Sequence, residues 1–322
     1  MSARRPRIVW PGPGRITVML MVIVPAAMAY PWHSGAARWT VGIAAGVVVL
    51  SAAWWRGRHL TAIAARRLAM VRRRDTPGRH EAVNYSTANA TTTVALRFLG
   101  GIAGDVPLAL IGGYLQRYGI SCDAVRVTSR DVPGERTTWV GLTVSAAPNL
   151  AALQARSHDL PLRETAEIAL RRLADHLREN GCSVPTAQPV EVPDLLGPQA
   201  KERWRAVEDG VQGYVAAFGV VADATLGQTL ETLWLLPAAE MWTSLEITGT
   251  PDRPKVAVAC AIRTDDRPGS PPLPGLEPAN GGHWAALAAM HPLSAERLVA
   301  PQIPADGIPG FSWPAGALTI RT

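Results

Sequence analysis

The side chains able to do chemistry are thinly spread along this chain of 322 residues. Seven histidines are scattered. His158, Asp159 and His176 are near enough in sequence to converge, but their spacing imposes no metal geometry, and solvated or capping roles account for them. Asp265-Asp266 is similar to the metal-holding acids of some glycosyltransferases, yet it sits among prolines and reads as a polar loop tip. Gly100-Gly101-Ile-Ala-Gly104 lies between a strand pattern and a helix pattern, where a phosphate-binding turn would lie. It is not GxGxxG, and no carboxylate ends the next strand to hold a ribose, so a connector is the better account. Cys122, Cys182 and Cys260 are odd in number, far apart and without a CxxC pair, which suits buried reduced thiols. GxxxxGK[ST], HExxH and GxSxG are all absent from the sequence. The expectation is a protein that binds, with no catalytic, cofactor or metal residues.

The elements that would position these residues alternate from about residue 82. Strand patterns cover 90–98, 125–129 and 137–146, the last two flanking the turn Asp131-Val-Pro-Gly-Glu135. Asp105 can N-cap a helix running to Tyr118. The strongest helical period spans 162–180, with Ile168, Leu170, Leu173 and Leu177 on one side and Gly181 as its stop. A strand at 215–221, a helix at 226–236 and strands at 243–248 and 255–262 repeat the earlier order at an offset of about 120 residues. Two β-α-β-β units in an α+β domain over 79–322 are therefore expected. Within it, 265–281 is too rich in proline for regular structure, a short helix spans 283–290, and the proline-bearing C-terminal tail is extended.

Charge separates the N-terminus from this domain. The first 74 residues hold twelve arginines and no carboxylate; the remainder holds 20 basic against 26 acidic residues, a balance of −6. A basic face on the folded domain, the footprint of a nucleic-acid binder, is not indicated. Two apolar runs, 16–30 and 39–55, are flanked by tryptophans and suggest two transmembrane α-helices, a hairpin over 1–55. Gly42, Ala45 and Gly46 form a small-residue face on the second run suited to close helix packing. Four arginines precede the runs, Arg38 alone lies between them and seven follow, so the positive-inside rule places both termini in the cytoplasm and only 31–38 outside. An alternative is a cleaved signal peptide ending at Ala27-Met28-Ala29. An arginine-rich juxtamembrane helix is expected over 56–78, with Arg66, Arg67, Arg72, Arg73 and Arg74 near anionic lipid head groups.

The arginine-led hairpin over 1–55, the exit Trp54-Trp-Arg-Gly-Arg58 and an α/β domain without catalytic motifs together resemble the EccE family. That family is a core membrane component of the mycobacterial type VII (ESX) secretion system. The Arg- and Ala-rich composition suits an actinobacterial source. The resemblance implies an inner-membrane, multi-pass, non-enzymatic scaffold subunit with EccB, the EccC ATPase and EccD as partners, and carries no cofactor or catalytic residue across. The chain is short for the family, which points to the ESX branch tied to iron and zinc acquisition. A membrane-anchored enzyme acting on lipid-linked substrates and a membrane-anchored regulatory or recruiting protein are the other classes that the sequence leaves open.

Overall fold

The computed structural model describes residues 13–28, 35–52, 54–55, 58–59, 90–101, 104–185, 192–223, 225–304 and 312–315. They divide into two compact units, 1–77 and 78–322.

The first unit holds α1 (Pro13–Met28) and α2 (Gly35–Ala52), which pack on each other. Two membrane spans were expected here, and this is corrected. Among the described residues no helix is long and apolar enough to cross a membrane. At 1.5 Å per residue, sixteen and eighteen residues reach about 24 and 27 Å, short of a hydrocarbon core of about 30 Å. α1 also contains Pro25, which removes one of its backbone hydrogen bonds, and α2 takes Arg38 into its own length. The multi-pass, inner-membrane localisation with both termini cytoplasmic falls with the spans. Nor do the glycines pack the pair closely. A Cβ at Gly42 or Gly46 would meet nothing within 4 Å, whereas Ala26 and Ala44 are buried. After α2, Trp54–Trp55 and Arg58–His59 pair as a two-residue antiparallel ladder where continued helix was expected. The rest of the juxtamembrane segment, with Arg66, Arg67, Arg72, Arg73 and Arg74, lies outside the described residues.

The second unit is built on one ten-stranded antiparallel sheet. Its strands are β1 (Thr91–Phe98), β2 (Ala124–Val132), β3 (Glu135–Ser145), β4 (Lys201–Glu202), β5 (Val207–Glu208), β6 (Tyr214–Val220), β7 (Glu240–Thr250), β8 (Arg253–Thr264), β9 (Leu276–Pro278) and β10 (Ile303–Pro304). The order is β4-β5-β6-β8-β7-β2-β3-β1, with β9 also on β6 and β10 on β8. The triplets β6-β8-β7 and β2-β3-β1 meet at the β7–β2 pair, where Glu246 faces Arg126 and Ser244 faces Thr128. The two expected units thus share one sheet and a continuous ladder of backbone hydrogen bonds.

Period-two sequence decides which face each residue serves. In β8, Val256, Val258, Cys260 and Ile262 join the larger core, while Ala257, Ala259 and Ala261 join a second core on the other face. The larger core receives α3 (Leu162–Glu179) and α4 (Leu226–Trp234), whose Leu170, Leu173, Leu177, Leu230 and Leu233 are buried. The alanine face receives α5 (His283–Met290) through Ala286, Leu287, Ala289 and Met290. Small residues there also let backbone approach. A Cβ at Gly141 would lie 3.0 Å from the Pro292 carbonyl oxygen, and one at Gly219 would lie 3.2 Å from that of Val299. The segment 291–300 therefore lies across the sheet from β3 to β6.

Three local expectations differ. Asp105 does not cap a helix: its carboxylate accepts from the Ser312 hydroxyl at 2.6 Å, and the helical turn begins only at Leu108. The proline-rich stretch 265–281 contains β9, because Leu276, Glu277 and Pro278 find a partner strand in β6. The tail returns to the sheet as β10, and Trp313 is fully buried.

Candidate functional site

The residues singled out by type are not brought together. His158 is exposed before α3 and His176 lies in the last turn of α3, so about 20 Å of helix separates them. The Asp159 backbone N–H donates to Ser157 Oγ at 3.3 Å, as in a local turn. Asp265 and Asp266 are exposed, and the Asp266 carbonyl accepts from the Thr264 hydroxyl at 2.8 Å. Gly100–Gly101 pairs with Cys182–Ser183 as a short antiparallel ladder, and residues 102–103 of that turn lie outside the described residues. The cysteines are unpaired; Cys122 and Cys260 are buried and Cys182 half-buried. Burial pushes the Cys122 thiol up to about 12 and raises those of Cys182 and Cys260. Among the described residues, no group of three or more His, Cys, Asp or Glu is placed to hold a metal ion.

The polar organisation instead centres on the β2–β7 seam and its alanine-lined face. Arg126 and Glu246 lie directly opposite each other, and Arg126 Nη2 donates to Glu246 Oε2 at 2.6 Å with both side chains almost wholly buried. The same guanidinium donates to the carbonyls of His291, Ser294 and Glu296, at 3.4, 3.0 and 2.5 Å. Arg297 approaches the other oxygen of Glu246 at 3.8 Å. One buried ion pair thus binds the crossing segment to the sheet.

A second cluster lies along the same face. Glu240 accepts from Arg130 at 2.5 Å, Arg263 at 2.8 Å and the Trp242 indole N–H at 3.1 Å. Arg263 continues to Asp209 at 2.8 Å and to the Leu195 carbonyl at 2.8 Å, while Asp209 accepts the Gly197 N–H at 2.9 Å. Trp139 stacks on Trp242 with centroids 5.6 Å apart and planes 8° from parallel. Burial works to raise the Glu240 carboxyl, but hydrogen bonds from Arg130 and Arg263 outweigh it, and the group is held below the usual glutamate range. Removing one partner from such a cluster leaves an uncompensated buried charge, at about 3–5 kcal/mol. Its carboxylates are engaged by guanidinium groups under packed segments, an arrangement that fixes backbone and leaves little for a substrate to reach.

On the opposite face, Arg136 pairs with Asp131 at 2.6 Å and lies over the Trp234 ring at 4.7 Å from its centroid. Trp313 packs edge-on to Trp234 at 5.5 Å and donates its N–H to Ser129 at 2.9 Å. None of Arg126, Glu246, Glu240, Arg263 or Trp313 stood out in the sequence as a site residue. The available signal was a lone charge inside an apolar strand, as in Val-Arg126-Val and Leu-Glu246-Ile, which calls for a buried partner.

Comparisons with known proteins give this sheet its family. The model of the EccE family, described as a type VII ESX secretion system translocon, matches residues 132–220, from the end of β2 to the end of β6. The ESX-3 secretion system protein EccE3 of Mycolicibacterium smegmatis is 45% identical over 295 residues, 91% of this chain and 92% of that protein. EccE3 of Mycobacterium tuberculosis strain H37Rv is 47% identical over 314 residues, 95% of this chain and 93% of that protein. The chain belongs to the EccE family. Both EccE3 alignments cover more than nine-tenths of the chain, so the EccE relationship extends well beyond the matched 132–220 segment.

Proposed function

We propose that this EccE-family chain is a non-enzymatic scaffold subunit of a type VII secretion complex of the ESX-3 kind. In this reading it meets EccB, the EccC ATPase and EccD. The observation that carries the proposal is near-full-length identity of 45–47% to proteins named ESX-3 secretion system protein EccE3. Two physical features support it. The buried charges of the sheet hold crossing segments in place, which suits a rigid docking body. Leu20, Met21, Ile23, Val24, Met28, Trp39 and Ile43 expose large apolar side chains on α1 and α2, a surface suited to helices of other subunits. Affinity purification of the tagged chain from its native host, with quantitative mass spectrometry, tests the partners: the three subunits should be recovered in fixed ratio. Alanine pairs at Asp265 with Asp266, and at His158 with His176, should leave secretion intact. Loss of secretion in either pair with the complex still assembled would replace the scaffold by a catalytic or metal-dependent role.

A further inference from the structure

A small, shallow hollow lies where α3 meets the hairpin 116–121. Its walls include Tyr114, Arg117, Tyr118, Arg156, Thr165 and Arg172. The hairpin turn has Tyr118 at φ +54° and Gly119 at φ +76°, both left-handed, between the paired residues Arg117 and Ile120. Glycine and asparagine suit such positions, whereas a tyrosine there costs about 1–2 kcal/mol. The strained residue presents a half-exposed ring. Arg172 lies over that ring at 4.7 Å from its centroid, and Arg117 lies over both Tyr118 at 5.3 Å and Tyr114 at 5.1 Å. Tyr114 is buried and donates its hydroxyl to the Arg172 carbonyl at 3.0 Å, which ties α3 to the turn leading into the hairpin. Burial, with the neighbouring Tyr118, pushes the Tyr114 hydroxyl up to about 12, so it stays a donor. Arg156 joins the rim, held by Nη1 donating to Thr165 Oγ1 at 3.2 Å.

None of these three guanidinium groups pairs with a carboxylate among the described residues. This contrasts with the seam, where Arg126, Arg130 and Arg263 all have carboxylate partners. Stacking on a ring uses the face of a guanidinium and leaves its in-plane N–H fork free, and that fork matches the oxygens of a phosphate. Arg117 and Arg172 are held in this way and Arg156 by its bond to Thr165, and none of the three is in an ion pair among the described residues. Ile120, Ile168 and Ala169 supply an apolar floor to the same hollow, which is too small to enclose a ligand, so one would rest on its arginine rim.

We propose that this hollow binds a phosphate monoester, the phosphate on Arg117, Arg156 and Arg172 and its organic neighbour against Tyr118. The site stands apart from the scaffold reading and does not depend on it. The ligand chemistry is shared by soluble phosphate esters and by the head group of a phosphomonoester lipid.

The test uses the full chain and phenyl phosphate as probe, by calorimetry at low salt. Saturable binding is expected at pH 7.5 and should weaken at pH 5.5, because the second phosphate ionisation lies near 6. Arg117→Gln and Arg172→Gln should each weaken it about tenfold, the loss of one charge-assisted interaction. Arg163→Gln, an exposed residue of α3 paired with Glu167, should not change it. Arg172→Lys, which keeps the charge without the fork, should give an intermediate loss and shows that the fold survives. Flotation with phosphatidylcholine vesicles containing phosphatidic acid then separates the sources. Flotation lost in the Gln variants identifies a lipid head group, and equal flotation of all variants identifies a soluble ester; both support the site. Absence of saturable phenyl phosphate binding, or equal affinity in folded Gln variants, would overturn it.

Discussion

Glu240 accepts from two arginines and an indole while Arg263 reaches onward to Asp209 and Leu195, so one carboxylate connects β2, β7, β8 and the 195–209 segment. Glu240→Gln should destabilise the protein by about 3 kcal/mol at pH 7 in urea unfolding, since Arg130 loses its counter-charge and Arg263 keeps only Asp209. The difference is pH-dependent with a definite sign. A carboxyl with a depressed folded pKa stabilises above its unfolded value, roughly 4.3, and loses that contribution as pH falls through the folded value. The gap between native and Gln proteins should therefore stay constant down to about pH 5 and close below the ordinary glutamate range. Asp131 shifts the other way, raised by burial against the opposing charge of Arg136, but it is common to both proteins and cancels in the difference. The cysteines give a second residue-scale prediction. Raised thiol pKa values and burial make Cys122 and Cys260 poor nucleophiles, so iodoacetamide at pH 8 should modify Cys182 well ahead of both. Mass mapping of the labelled native protein checks this, and rapid modification of Cys260 without denaturant would contradict it.

Residues 312–315 act as an element although they form no helix or strand of their own. Trp313 fills the larger core between Trp234 and Ser129, and the carbonyls of Pro314 and Ala315 accept from Arg136 and Thr138 at 3.3 and 3.4 Å. Trp313→Ala removes a fully buried indole and leaves Ser129 without this donor. The expected cost is about 3–5 kcal/mol, or roughly 10 °C in melting temperature for a domain of this size. Scanning calorimetry measures it, and an unchanged melting temperature would mean that the tail is not part of the core. The same physics explains why tail and crossing segment were illegible in sequence. Their residues carry no period, and each is held by a partner more than 150 residues away, as with Arg126 to Ser294 and Trp313 to Ser129.

At the scale of the molecule, the β2–β7 pair joins two similar triplets into one sheet, so neither triplet has a finished edge. A fragment of residues 90–185 keeps β1, β2, β3 and α3 but exposes β2 with Arg126 cut off from Glu246 and from the crossing segment. It should show no cooperative thermal transition, whereas residues 90–322 should unfold in one step. Circular dichroism of the two fragments decides. A cooperative melt of the shorter fragment would show that the halves are independent domains.

Local pattern alone placed β2, β3, β7 and β8 to within a few residues, because alternation of apolar side chains and Pro/Gly turns is written in consecutive positions. The stretches 162–180 and 283–290 were legible as helices for the same reason, and the character of the chain as a whole was enough for the EccE resemblance. Tertiary structure decided the rest. The recruitment of 276–278 as a strand and the partners of the buried charges depend on what lies across space. Glu246 reads as an interruption of an apolar strand until Arg126, 120 residues earlier, is brought opposite it. A buried charge is stable only when paired, and the sheet register that supplies the partner is a property of the folded chain.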